Sequence, residues 1–65
     1  MATNYIVDQY LQAMKGKEIR VFMVNGFRLI GILEAYDNVA FRIRDTNSQK
    51  EKLIFFSGIT TIEPL

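Results

Sequence analysis

The stretch RVFMVNGFRLIGILEAYDN, Arg20 to Asn38, decides how this chain folds. Asn25-Gly26 is a strong short-range hairpin signal, because a type I′ turn needs positive φ at both central residues. On either side, Ile19 to Val24 and Phe27 to Tyr36 read as strands, with Gly31 marking a bend or bulge in the second. Both strands carry more apolar residues than one buried face requires. Val21, Phe22, Met23 and Val24 are apolar in a row, and Leu29-Ile30 repeats the pattern across the turn. A half-buried strand alternates apolar and polar side chains. A chain of 65 residues has no room for two buried sheet faces. The second face therefore calls for cover, partly from the chain's own helix and partly from a neighbouring subunit.

Upstream, Tyr5 to Met14 has helical period. Ile6, Tyr10, Ala13 and Met14 fall on one face, with Val7 and Leu11 beside them. Thr3 or Asn4 is placed to cap the start, and Gly16 to stop the helix, with Lys15 and Lys17 near its negative end. Downstream, Asp37-Asn38 reads as a turn. Val39 to Arg44 alternates, with Val39, Phe41 and Ile43 on one face and Arg42 and Arg44 on the other. Asp45 to Lys52 is a polar loop running into a strand. Leu53 to Phe56 is apolar, Ser57-Gly58 is a break, and Ile59 to Ile62 is a last short strand ended by Pro64. One helix precedes five short strands in meander-like order. This is a single mainly β domain over residues 1–65: a strongly bent antiparallel sheet, curled towards a small barrel and capped by the helix. Its two open edges invite pairing between subunits, which closes into a ring when the rotation allows.

Composition narrows the chemistry. Domains this small gain stability from disulfides, a metal or oligomerisation. The chain has no Cys and no His. That removes disulfides, the common zinc sites and the triads or dyads built on those residues. No catalytic constellation, metal site or cofactor motif is present in the sequence, so the expectation is a protein without catalysis. No apolar run approaches a membrane span, and no secretory leader is evident, so the expected location is the cytoplasm. The formal net charge is +1, which a ring would multiply.

The helix, then VNGFRLIG, then AYDN, then the closing ITTIEPL resembles the Sm-like fold, and within it the Hfq family of bacterial RNA chaperones. The resemblance runs from about Ile6 to Pro64. Its most specific pieces are VNG with Gly31 five residues on, the Tyr36-Asp37 pair and the final Ile-x-Thr-Ile-x-Pro. The helical DQYLQAM is similar to the family's D-x-F-L-N-x-L. The resemblance implies a cyclic homohexamer that binds RNA on two opposite faces and along its rim. It also implies a role in post-transcriptional regulation, helping small regulatory RNAs pair with messengers.

Carried over position by position, the family's adenine-binding distal face falls on Phe22, Asn25, Gly26, Phe27, Arg28 and Ile30, with Thr61 nearby. Aromatic and aliphatic side chains offer stacking surfaces, Asn25 and backbone amides can read base edges, and Arg28 can meet phosphate. The proximal uridine site falls on Asp8, Asn38, Val39, Phe55, Phe56 and Ser57. Here the chain departs from the family. FFSG stands where members carry Tyr-Lys-His-Ala, so Phe56 and Ser57 replace the Lys and His. Val39 replaces a stacking aromatic, and Val7 replaces a base-contacting Gln. Phe56 reads either as part of an altered pocket or as a packing residue. Lys15 and Lys17 resemble the family's basic rim. Arg42 and Arg44 are placed to pair with Glu51 or Asp45, and Asp37 to accept bonds from its own turn.

The leading expectation is thus an RNA-binding ring that prefers A-rich single strands, with a weakened uridine site. The alternative is a diverged Sm-like ring that acts as a scaffold for protein partners through its Phe-rich face.

Overall fold

The computed structural model describes residues 5–65. The expected helix cap at Thr3 or Asn4 lies outside them. Helix α1 (Tyr5–Met14) is followed by strands β1 (Glu18–Met23), β2 (Arg28–Tyr36), β3 (Ala40–Asp45), β4 (Glu51–Phe55) and β5 (Ile59–Pro64), with a 3-10 turn at Phe56–Gly58. All pairings are antiparallel, in the order β4-β3-β2-β1-β5. The meander expectation therefore holds only through β4. The 3-10 turn carries the chain away, and β5 returns to pair with β1. This leaves β4 and β5 as the two open edges.

Gly16 ends α1 in the left-handed region (φ +82°), as its lack of a Cβ permits. Its N–H donates to the Leu33 carbonyl at 2.8 Å, and the Leu33 N–H donates to the Lys17 carbonyl at 3.1 Å. These two bonds pin the helix end to β2. The packed stripe of α1 differs from the one its periodicity predicts. Leu11 is buried and Met14 packs beside it, whereas Ile6 is 80% exposed and Ala13 is open.

The hairpin falls where expected, but its turn is another type. The Met23 N–H donates to the Phe27 carbonyl at 2.7 Å and the Gly26 N–H to the Met23 carbonyl at 3.1 Å. Gly26 has φ +92° while Asn25 keeps a negative φ. This is a three-residue loop with one left-handed residue, the other common hairpin solution. Gly31 also has a different role. The irregularities in the ladder lie between Phe22 and Met23 and between Leu33 and Ala35. At Gly31 a Cβ would collide with the Arg44 carbonyl oxygen and lie 2.7 Å from Ile43 Cγ1, so the glycine lets β3 approach closely. Pro64 does not stop the pairing outright: it sits opposite Ile19, and the Leu65 N–H still reaches the Glu18 carbonyl at 3.3 Å.

Leu11, Ile19, Val21, Leu33, Phe41, Ile43 and Ile54 form the core, on the sheet face that the helix covers. The apolar run at Val21–Val24 is thereby explained. Val21 and Met23 point to that core, Val24 is exposed in the loop, and Phe22 points the other way. The helix covers the first face, not the second. The second face, with Phe22 and Ile30, has no cover from the described residues of its own chain.

Candidate nucleic-acid interface

Strand parity builds the uncovered face. Side chains alternate along a strand, and directly opposed residues share a face. Phe22 lies opposite Arg28 on β2 and Thr61 on β5. Arg20 lies opposite Ile30 and Glu63. Two rows thus cross three strands: Thr61–Phe22–Arg28 and Glu63–Arg20–Ile30. At the end of these rows stands the hairpin loop. Phe27 is 72% exposed there, and its N–H donates to Asn25 Oδ1 at 3.1 Å. Every residue assigned to the distal face from sequence is on this face or in its loop. Arg28 is exposed and makes no ion pair among the described residues. Sequence reasoning missed Arg20, although its place two residues before Phe22 on a strand fixes it to the same face.

The helix side is organised differently. Asp37 Oδ1 accepts from the Val39 and Ala40 N–H groups at 2.8 and 2.9 Å. Those bonds hold the Asp37 carboxyl below the usual carboxylate range. The Phe56 N–H donates to the Val39 carbonyl at 3.0 Å, which brings Val39, Phe55, Phe56 and Ser57 together around the 3-10 turn. Phe56 is half-buried with its ring centroid 5.4 Å from that of Phe41, so it packs on its own core. Phe55 and Val39 remain more than half exposed, and Ser57 and Asn38 are open. Asp8 is joined to this side by Tyr36, whose hydroxyl lies 3.0 Å from Asp8 Oδ1 and 3.1 Å from the Asp8 carbonyl. Burial first, then the bond to Asp8 and its charge, push the Tyr36 hydroxyl pKa up. In the sequence Tyr36 stands out only as a motif residue, and no local signal ties it to the helix. Between α1 and β5 runs an apolar groove of about 330 Å³ lined by Ile6, Val7, Tyr10, Phe56, Ile59 and Ile62.

Just beyond the end of α1, Lys15 and Lys17 are both exposed. Arg42 and Arg44 pair with Glu51 as expected, each at 3.5 Å, but their shorter contacts go to Glu34, at 3.3 and 3.0 Å. Asp45 turns away from both arginines. It takes Lys52 Nζ at 2.9 Å and the Asn47 and Ser48 N–H groups, and the Lys52 bond foremost holds its pKa down. The bulge between Leu33 and Ala35 carries Glu34, which sequence alternation does not place. No helix among the described residues is long and apolar enough to cross a membrane.

A family model described as Hfq protein matches residues 6–65. The RNA-binding protein Hfq of Oceanobacillus iheyensis is 39% identical over 62 residues, covering 92% of this chain and 81% of that protein. The RNA-binding protein Hfq of Geobacillus kaustophilus is 34% identical over 64 residues, covering 95% and 83% respectively. Among solved structures, a crystal structure of the pleiotropic translational regulator Hfq superposes with a TM-score of 0.83 at 32% identity, over 89% of this chain and 97% of that one. One helix on a bent five-stranded antiparallel sheet, matched along nearly its whole length, is the Sm-like fold, and the chain belongs to the Hfq family.

Proposed function

We propose that this chain is a non-enzymatic RNA chaperone of post-transcriptional regulation, working in the cytoplasm as a cyclic homohexamer. Its outer sheet face, the family's distal face, holds A-rich single-stranded RNA. Its helix side, the proximal face, holds uridine-rich RNA only weakly. One observation carries the reading. Phe22, Arg28, Ile30 and Thr61 share an uncovered sheet face in direct cross-strand register, with exposed Phe27 and Asn25 at its end. That arrangement supplies stacking surface, a free cation and hydrogen-bonding groups in one patch, which is what a single strand with unstacked bases needs. The open edges β4 and β5 lie at opposite ends of the sheet, which suits head-to-tail pairing of successive subunits into a closed ring.

The weak proximal site follows from chemistry. The position of the family's Lys is Phe56, packed on Phe41, and that of its stacking aromatic is Val39. A ring lacking that Lys loses one positive charge per subunit where phosphates pass. The test is filter binding of A-rich and U-rich oligonucleotides at two salt concentrations, beside native mass spectrometry of the free assembly. A six-subunit ring that binds A-rich RNA more tightly, with affinity falling as salt rises, is expected. A stable monomer or dimer at micromolar concentration, or no RNA binding at low salt, overturns the proposal. RNA-free rings that retain a protein partner through Phe55 and Val39 would instead favour the scaffold reading.

A further inference from the structure

We infer that Arg20 is a second phosphate contact of the outer face, held in readiness by Glu63 and released from it when RNA binds. The inference rests on the reading of that face as the A-rich RNA site.

The geometry begins with register. Arg20 is the cross-strand neighbour of Ile30 and stands two residues from Phe22, on the same face as both. Residues two apart on a strand are roughly 6.7 Å apart. Arg20 is therefore close enough to meet the backbone of a strand whose bases lie on Phe22 and Ile30. Its Nη1 is engaged by Glu63 Oε1 at 2.8 Å, across the β1–β5 ladder. The side chains of the pair are 38% and 42% exposed. An ion pair this open to water contributes little net stability, so exchanging its carboxylate costs little. A backbone phosphodiester offers a guanidinium the same two-oxygen geometry and the same single negative charge as the carboxylate it replaces. Arg28, a cation of the same face with no ion pair among the described residues, sits in the adjacent row. The two guanidiniums thus bracket the stacking surface, one at each row. Glu63 has two effects: it orients Arg20 in the free protein, and it opposes an incoming phosphate with its own negative charge.

This assignment predicts opposite signs for the two halves of one ion pair. Arg20→Ala removes a cation that neutralises phosphate. A-rich RNA is expected to bind on the order of tenfold more weakly per site, the scale of one hydrogen-bonded charge. The slope of log affinity against log salt should become shallower by about 0.7 for each phosphate that is no longer neutralised. Arg20→Lys keeps the charge but not the fork, and should fall between. Glu63→Gln also breaks the ion pair, yet it should tighten A-rich binding, because the competitor for Arg20 is gone. Each variant is measured as the intact assembly, its mass checked first. Phe27→Ala runs alongside as the control for the face.

If Arg20→Ala and Glu63→Gln weaken binding alike, the pair is only a strand fastening and the inference is wrong. It is equally wrong if Arg20→Ala leaves affinity and salt slope unchanged while Phe27→Ala weakens binding. If neither change matters, the outer-face reading falls with it. Should Arg20→Ala fail to assemble, Arg20→Lys and Glu63→Gln decide by their opposite signs.

Discussion

The two surfaces proposed to meet RNA differ in what their side chains already hold. On the outer face, Phe27 and Arg28 reach into solvent, and Asn25 is engaged only within its own loop. On the helix side, Asp8 holds Tyr36, Asp37 holds two amides of its turn, and Phe56 stacks on Phe41. A group committed to its own chain is a poor ligand group, since an incoming base must displace a bond before making one. The outer face leaves Phe27 and Arg28 unengaged and holds Arg20 only in a water-exposed ion pair, whereas Asp8, Asp37 and Phe56 on the helix side fasten α1 and the 3-10 turn to the sheet. The same residue type shows the contrast. Phe27 is 72% exposed and Phe41 only 1% exposed.

Those two phenylalanines give the largest and the next largest expected effects. Phe41→Ala opens a cavity beneath the helix side and removes the ring on which Phe56 rests. It should cost ~3–5 kcal/mol of stability, read by urea unfolding of the assembly. A loss below about 1 kcal/mol would mean that the core does not depend on this ring in the way its burial implies. Phe27→Ala should leave the unfolding midpoint in place and weaken A-rich RNA by ~1–3 kcal/mol per occupied site. Unchanged RNA affinity in an intact ring would show that exposure alone does not make Phe27 a contact.

How much of this was legible in the sequence follows from the range of each signal. Turn and period signals are local. The helix, the hairpin at Asn25-Gly26 and all five strands stand within a few residues of their expected bounds. The sheet order is not local. Nothing in Ile59–Pro64 announces that it pairs with β1 and not with β4, so the meander expectation fails there. The resemblance assigns the distal-face residues, and the strand residues among them share one sheet face because alternation holds in β1 and in the first half of β2. Alternation fails past the bulge after Leu33, where Glu34 is the main partner of Arg42 and Arg44. The helix face differs from expectation because periodicity says which residues share a stripe, not how wide a stripe the sheet can cover. The departures at Val39, Phe56 and Ser57 are visible by resemblance alone. That Phe56 packs inward shows only in three dimensions.

That packing reshapes the attempt to restore the helix side. Phe56→Lys would place a charge against Phe41 and is expected to destabilise the fold as much as it adds a ligand group. Ser57 and Val39 are exposed and carry no such cost. The double variant Val39→Phe with Ser57→His supplies a stacking surface and a donor. It should strengthen U-rich binding by on the order of 1 kcal/mol for each interaction restored, while A-rich binding stays unchanged. Competition between labelled U-rich and unlabelled A-rich oligonucleotides on one ring reads both at once. Tight U-rich binding by the unaltered protein would show that the helix side is less occupied than its internal bonds indicate.

The smallest effect is expected from a single charge, and it tests whether the helix side is truly self-engaged. The Asp37 carboxylate is held below its ordinary pKa by the Val39 and Ala40 amides, in that order. A group whose folded pKa is lowered binds its proton more readily in the unfolded chain. Its stabilising contribution is fully present above the unfolded value of about 3.9 and is lost as pH falls through the folded value. Asp45, held down chiefly by Lys52, acts in the same direction. The unfolding midpoint of the protein should therefore begin to drop below about pH 5 and keep falling below the unfolded carboxylate value of about 3.9, until the folded carboxylates are protonated. Asp37→Asn keeps an oxygen acceptor for the two amides but removes the titration. It should lower stability slightly at neutral pH and flatten the acid dependence, with a further flattening when Asp45→Asn is added. Outer-face binding of A-rich RNA at neutral pH should not change in either variant, since neither residue lies in its two rows. A pH profile identical to that of the unaltered protein would mean that the Asp37 turn contributes nothing the unfolded chain lacks. The helix side would then be as open to outside ligands as the face opposite.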